Sequence, residues 1–275
     1  MDRYAVIGNP IEHSKSPFIH AQFANETGEQ LVYERILGRI DAFEEDVKDF
    51  FSDANNKGLN VTVPFKEKAF AMCDVLSPRA QIAEAVNTLY MKDGKLYGDN
   101  TDGRGLVRDI QENFQVSLAG KRVLLIGAGG ASKGVLLPIL EAAPSQLVVS
   151  NRTFSKAEQL VGRYKQRPEI VACGAELTAE SFDDLSSAFD LVINGTSASL
   201  SGELPKISSE IFSSETHVYD MMYGDQETVF NCWAKDSGAT MTMDGLGMLV
   251  EQAAEAFRVW RNVQPNTAYC IAALR

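Results

Sequence analysis

Short apolar runs alternate with amphipathic stretches along the chain. Residues 4–8 (Tyr-Ala-Val-Ile-Gly), 31–37, 59–63, 122–128, 146–150 and 191–195 are rich in Val, Ile and Leu and bounded by Gly, Asn or Pro, which predicts strands. Between them, residues 16–27, 41–52, 66–74, 131–142 and 155–166 repeat with a helical period. That alternation predicts an α/β protein built from βαβ units with mostly parallel sheets. The unbroken Val123-Leu124-Leu125-Ile126 suits a sheet covered on both faces. Residues 86–98 depart from the pattern: Asp93-Gly94 between two apolar runs signals a hairpin. A hairpin ends a doubly wound run, so a first domain is expected over 1–102 and a second over 103–245. Thr101 is a plausible cap for a helix over 101–114, and Ser16 before Pro17 has the form of an N-cap with Pro at N1. A last helix is expected over roughly 246–261, and the pattern leaves open which domain it packs on.

Length and charge then narrow the class. A chain of 275 residues is enough to bury a core without disulfides or a structural metal. The 37 acidic residues outnumber 26 basic ones, giving a net charge of −11. A polyanionic partner such as nucleic acid is disfavoured, while a local basic pocket for a small anion is not. Cys73, Cys173, Cys232 and Cys270 show no C-x-x-C spacing, and His13, His20 and His217 are scattered, so no metal site is expected and the thiols are expected in or near a reduced core. There is no secretory pattern at the start and no 18-residue apolar run, so no membrane partner is expected and the cytoplasm is the expected compartment.

The most specific string is Arg122-Val-Leu-Leu-Ile-Gly-Ala-Gly-Gly-Ala-Ser-Lys-Gly134. An apolar strand runs into Gly127-Ala128-Gly129-Gly130-Ala131 and a helical pattern follows, the context a dinucleotide phosphate loop requires. Ser132 stands where the third glycine of G-x-G-x-x-G belongs, and Gly130 and Gly134 are the candidates for close helix–strand packing instead. The next strand ends in Asn151-Arg152-Thr153-Phe154-Ser155-Lys156. An NAD site places an acid there for the ribose hydroxyls, but this chain has none between 142 and 157. Arg152 and Lys156, with the nearby hydroxyls, suit a 2′-phosphate, which points to NADP.

Three polar strings in the first half sit at predicted strand ends: Asn9-Pro-Ile-Glu-His-Ser14-Lys-Ser16-Pro17, Asn60-Val-Thr62-Val-Pro-Phe-Lys66, and Asn87-Thr88 with Asp99-Asn-Thr-Asp102-Gly103. Singly, each has a structural explanation as a cap, a turn or a solvated surface. Together they offer hydroxyls, amides, an ammonium and a carboxylate, a set suited to a small acid bearing several hydroxyl groups.

These strings, with Tyr219-Asp-Met-Met-Tyr223 and Asp244-Gly-Leu-Gly-Met-Leu-Val-Glu-Gln252, occur in the order found in the shikimate dehydrogenase family, which the chain resembles over essentially its full length. The resemblance implies an N-terminal substrate domain, a C-terminal Rossmann-type NADP domain, a deep cleft between them, and C-terminal helices (246–275) that return to the first domain. It implies NADPH-dependent, reversible reduction of 3-dehydroshikimate to shikimate on the route to aromatic amino acids, by a monomer or homodimer. It assigns the substrate carboxylate to Ser14, Ser16 and Tyr223, the ring hydroxyls to Thr62, Asn87 and Gln252, and catalysis to Lys66 and Asp102. It assigns the cofactor to Gly127, Ala128, Gly129, Gly130, Ala131, Asn151, Arg152, Thr153 and Lys156, with Met221 and Gly245 beside the nicotinamide. Many members carry Arg where this chain has Lys156, so somewhat weaker NADP discrimination is expected. Two alternatives are an NAD-preferring quinate/shikimate dehydrogenase, against which Asn151-Arg152-Thr153 speaks, and a non-catalytic NADP-sensing module, which has no use for Lys66 with Asp102.

Overall fold

A computed structural model describes the backbone of residues 1–275 and all side chains except those of residues 200 and 201. The chain divides into two compact units, Met1–Gly105 with Leu249–Leu274, and Leu106–Met248 with Arg275.

The first unit runs β1 (Asp2–Gly8), α1 (Ser16–Thr27), β2 (Leu31–Leu37), α2 (Phe43–Phe51), β3 (Asn56–Val61), α3 (Lys66–Met72), β4 (Val75–Leu76), α4 (Pro78–Ala83), β5 (Thr88–Lys92), β6 (Lys95–Asp99) and the start of α5 (Asp102–Arg108). Its six-stranded sheet has the order β2-β1-β3-β5-β6-β4. It is mostly parallel but mixed, with β5 alone running against the other five strands. β1 pairs in parallel with β2 and β3, but the β5–β6 hairpin inserts two antiparallel pairings. Asp93 and Gly94 turn that hairpin with φ of 51° and 72°, the left-handed conformations a two-residue turn needs. The register sets Asn60 opposite Thr88 and Thr88 opposite Asp99. The carboxyl ends of β1, β3 and β6 and the start of the antiparallel β5 therefore share one edge of the sheet.

One face of this sheet buries Ile7, Leu59 and Val61 against Phe43 and Phe65, whose rings stack at 4.6 Å. Elsewhere in this unit, Ile19 and Phe23 of α1 pack against Val250, Ala254 and Phe257 of the last long helix. The pattern left the placement of that helix open; its apolar stripe lies on α1.

His20 lies one turn after Ser16, 1% exposed, and stacks on Tyr33 at 4.1 Å beside Phe257 and Trp260. Burial pushes its pKa down to about 3, against a weaker opposing contact with Asn60. Unfolding frees the ring to titrate near 6.5, so the unfolded state binds the extra proton and stability falls as pH drops below that value. Between pH 6.5 and 5 the slope from His20 is expected to rise from about 0.7 to about 1.3 kcal/mol per pH unit. Urea titrations of His20→Phe across that range should show the slope removed.

Two expected helix starts are corrected. Ser16 is the first residue of α1 rather than its cap; Lys15 holds the cap position with no side-chain bond, and Ser16 Oγ instead accepts from Ser14 Oγ at 3.2 Å. Thr101 caps nothing, because its hydroxyl bonds Asn87 and Gln252, while Asn100 Oδ1 accepts the Asp102 N–H at 3.1 Å. The helix expected over 101–114 is also not uniform: α5 gives way to a π turn at Asp109–Asn113. That wider turn carries the buried Asp109, whose carboxylate accepts from Tyr219 at 2.6 Å and from Asn113 at 2.8 Å.

The second unit contains β7 (Arg122–Ile126), α6 (Gly130–Glu141), β8 (Gln146–Ser150), α7 (Phe154–Tyr164), α8 (Pro168–Val171), β9 (Glu176–Ala179), β10 (Leu191–Asn194), β11 (His217–Asp220), α9 (Val229–Asp236) and β12 (Met241–Asp244). The chain ends with α10 (Leu246–Arg261), which begins at the boundary of the units, and α11 (Ala268–Leu274) in the first unit. The second sheet is wholly parallel in the order β12-β11-β10-β7-β8-β9, a doubly wound Rossmann arrangement. Val123 to Ile126 are fully buried, as an unbroken apolar strand covered on both faces must be. The strand order reverses between β7 and β10, and open α/β sheets bind ligands outside the carboxyl ends at such a point.

All four cysteines are free, and Cys232 is exposed rather than in or near the core. Among the described residues no helix is long and apolar enough to cross a membrane, and no group of three or more acidic, His or Cys side chains is placed to hold a metal ion.

Candidate active site

The shared sheet edge of the first unit gathers the polar strings. Lys66 opens α3 directly after the turn that follows β3, and its Nζ donates to Asp102 Oδ2 at 2.7 Å. Asp102 opens α5 three residues after β6, and its other oxygen accepts from Asn87 Nδ2 at 2.8 Å. Both carboxylate oxygens are thus occupied and the plane of the group is fixed. The two side chains keep 31% and 20% of their exposure, enough for a small molecule to reach the amine. Asn87 is 3% exposed; its Oδ1 accepts the Thr101 N–H at 2.9 Å and its amide lies 3.3 Å from Gln252 Oε1. Gln252 comes from α10, and the approach is close: a Cβ on Gly105 would meet the backbone nitrogen of Gln252 at 2.6 Å, so only glycine lets α5 and α10 cross here. Thr62 sits in the turn between β3 and Lys66, its N–H bonded to the carbonyl of Ile7 at 3.0 Å. Ser14 and Ser16 lie in the loop after β1, hydroxyl to hydroxyl. Tyr223 belongs to the second unit, 37% exposed in the loop after β11.

In the second unit a cavity of about 1090 Å³ opens at the reversal point. Residues 127–131, Asn151, Arg152 and Lys156 line it. Thr153, Met221 and Gly245 do not; Met222 lines it in place of Met221. Gly127 holds φ at +115°, a conformation that other residues rarely adopt. A Cβ on Gly129 or Gly130 would meet nothing within 4 Å, so Gly130 borders open space and does not provide close packing. The packing is done by Ser132, fully buried, whose Oγ lies 2.9 and 2.8 Å from where Cβ atoms on Gly127 and Gly195 would stand. The glycine missing from the helix is thus supplied by Gly195 at the end of β10. The first turn of α6 presents unpaired N–H groups, and among the described residues neither Arg152 nor Lys156 makes an ion pair. This donor set fits a phosphorylated dinucleotide.

The sequence profile of the shikimate dehydrogenase substrate binding domain matches residues 6–89, that of shikimate/quinate 5-dehydrogenase residues 108–202, and that of the shikimate 5′-dehydrogenase C-terminal domain residues 245–275. The shikimate dehydrogenase (NADP(+)) of Hahella chejuensis is 53% identical over 275 residues, covering 100% of this chain and 99% of that one. The chain belongs to the shikimate dehydrogenase family. Among solved structures, an Ael1 enzyme from Pseudomonas putida superposes with a TM-score of 0.93 at 45% identity, covering 100% of this chain and 98% of that one. Shikimate 5-dehydrogenase of Thermus thermophilus, solved with NADP(H) and shikimate, gives 0.84 at 31% identity over 99% of this chain and 98% of that one.

Several residues that brace this shikimate dehydrogenase family member take no role from the sequence motifs; Arg79 and Glu255 lie outside those motifs, and Asp99 and Asp220 inside them. Arg79 donates to both oxygens of Asp99 at 2.7 and 2.6 Å and pairs with Glu255 at 2.8 Å. The buried Asp220 accepts from Asn194 at 3.0 Å, from Ser199 at 2.7 Å and from the Met222 N–H at 3.1 Å, fixing that wall of the cavity. A charged residue in an otherwise apolar window, as Asp220 is beside Val218 and Tyr219, is the signal that marks such a group.

Proposed function

We propose that this chain catalyses the reversible NADPH-dependent reduction of 3-dehydroshikimate to shikimate, with Lys66 and Asp102 as its catalytic pair. The observation that carries this reading is the 2.7 Å contact between Lys66 Nζ and Asp102 Oδ2, ringed by Asn87, Thr101 and Gln252. Bound NADPH supplies the hydride that turns the ketone carbon into an alcohol. As charge develops on the carbonyl oxygen, the ammonium of Lys66 stabilises it and donates a proton; in the reverse direction the neutral amine takes that proton. Asp102 holds the amine in place, and its second oxygen is held by Asn87. Asn87 and Gln252 offer amides, and Thr62 a hydroxyl, to the ring hydroxyls. Ser14 and Ser16 receive the carboxylate, with Tyr223 assisting. Gly127 to Ala131 hold the pyrophosphate, and Asn151, Arg152, Thr153 and Lys156 the 2′-phosphate, with Met221 and Gly245 toward the nicotinamide. The division of labour is a substrate domain over 1–102 with 246–275 and a cofactor domain over 103–245. The partner is the small hydroxy acid, and the proposed compartment is the cytoplasm, where four unpaired thiols persist.

Shikimate-dependent reduction of NADP⁺ by the purified protein, followed by absorbance, tests the activity; no turnover would refute it. The cofactor site has its own test. Arg152→Ala is expected to raise KM for NADPH by about 10- to 100-fold, the loss of a charge-assisted contact, and to leave KM for NADH nearly unchanged. Equal effects on the two cofactors would make Arg152 structural.

A further inference from the structure

The loop that presents Ser14 and Ser16 is held from β2. Alternate residues of a strand share a face, so Tyr33 and Arg35 point the same way. β2 runs parallel to β1 with Val6 opposite Arg35, which brings the end of β2 beside the loop that follows β1. Arg35 Nε and Nη2 both donate to the carbonyl of Ser14, at 3.1 and 2.6 Å. Tyr33, 9% exposed, donates to Asn60 Oδ1 at 2.7 Å. Asn60 Nδ2 in turn donates to the carbonyl of Asn87 at 3.0 Å. β2 therefore holds the serine loop through the Ser14 carbonyl, while the Ser14 and Ser16 hydroxyls bond each other.

That hold is a charged one. Hydroxyls alone form a neutral cradle, and an ionised partner makes a hydrogen bond roughly twice as strong. Arg35 is exposed, and among the described residues no carboxylate pairs with it. Its neighbour Glu34 faces the other way and accepts from Arg3 at 2.8 Å. Of the other charged or titratable groups on the loop, Glu12 accepts the Ile11 N–H at 3.1 Å, and Lys15 and His13 are exposed. By drawing on the Ser14 carbonyl, the guanidinium also polarises the Ser14–Lys15 peptide and sharpens its N–H as a donor.

We propose that Arg35 is a positioning and specificity residue for the substrate's carboxylate. It locks Ser14 in place and supplies a positive field that favours an acid over a neutral polyol of similar shape. This rests on the reading that Ser14 and Ser16 receive the carboxylate.

The test compares Arg35→Met and Arg35→Lys with the parent enzyme in steady-state shikimate oxidation at low and high NaCl. Arg35→Met is expected to raise KM for shikimate by about 5- to 20-fold, with kcat within about twofold and KM for NADP⁺ unchanged. The salt dependence of kcat/KM for shikimate should flatten in Arg35→Met and return in Arg35→Lys, which keeps the charge but restores only part of KM because it lacks the fork. A KM within twofold of the parent, or a raised KM with the parent's full salt dependence, overturns the proposal. Ser14→Ala is the control for the underlying reading. If it leaves KM for shikimate unchanged, the serine cradle itself is wrong; if it raises KM while Arg35→Met does not, only the role of Arg35 falls.

Discussion

Lys66→Ala is expected to lower kcat for shikimate oxidation by at least about 10²-fold, with KM for shikimate changed only a few-fold. The amine is not the main binding contact, since hydroxyls and amides surround the same space, so its loss falls on the transition state. It also leaves Asp102 facing the developing alkoxide without a cation between them, which adds repulsion to the missing proton. Asp102→Asn separates the two contributions. It preserves an oxygen for the Lys66 N–H and removes the negative charge, with loss of the bond from Asn87 Nδ2 that an amide nitrogen cannot accept, and it is expected to lower kcat less than Lys66→Ala. Steady-state kinetics in both directions check both variants. A Lys66→Ala enzyme with kcat near that of the parent would refute the catalytic role, and a raised KM with unchanged kcat would reduce Lys66 to a binding contact.

Much of the arrangement behind this pair could be anticipated from residue patterns, because local chemistry dictated it. Asp93-Gly94 allows a two-residue left-handed turn, and the hairpin forms there. Val123 to Ile126 can be covered on both faces only inside a parallel sheet, and they are. What the patterns missed depends on partners far along the chain. Ser16 has every local mark of a cap, yet its hydroxyl is engaged by Ser14, in a loop that Arg35 holds from β2. Thr101 is likewise drawn to Asn87 and Gln252 rather than to the first turn of α5. The π turn at Asp109 answers to Tyr219, on a strand of only four residues that no apolar run announces. Ser132 is legible as a departure from the glycine fingerprint, but its compensation at Gly195 is visible only in three dimensions. In each case a tertiary hydrogen bond or contact outweighs a local preference worth about 1 kcal/mol.

The same reasoning makes Arg79→Met the most damaging substitution away from the reacting atoms, with an expected loss of about 3–5 kcal/mol in unfolding free energy at neutral pH. Arg79, Asp99 and Glu255 have side-chain exposures of only 15%, 10% and 3%, so removing the cation leaves Asp99 out of water without a cation and Glu255 with Arg258 alone. Burial alone would raise the pKa of both acids. Instead, hydrogen bonds from Arg79 and Ser77 hold Asp99 below the usual carboxylate range, and Arg258 with Arg79 does the same for Glu255. A depressed folded pKa stabilises the native state above the unfolded values, about 3.9 for Asp and 4.3 for Glu, and that stabilisation is lost as pH falls through the lower folded values. In Arg79→Met burial is less opposed, so the two acids take up protons more readily in the folded state. The parent therefore loses stability on acidification while the variant is relieved, and the gap between their urea midpoints should narrow as pH falls toward 4. A gap that is small at pH 7, or constant with pH, would show that the cluster is not held by charge. The consequence reaches the site because the arginine ties two strings together: Asp99 lies three residues before Asp102, and Glu255 lies one turn after Gln252 on α10. Loosening that tie is expected to lower kcat/KM for shikimate in the folded fraction of Arg79→Met while leaving KM for NADP⁺ unchanged, because Asp102 and Gln252 would no longer share one fixed frame.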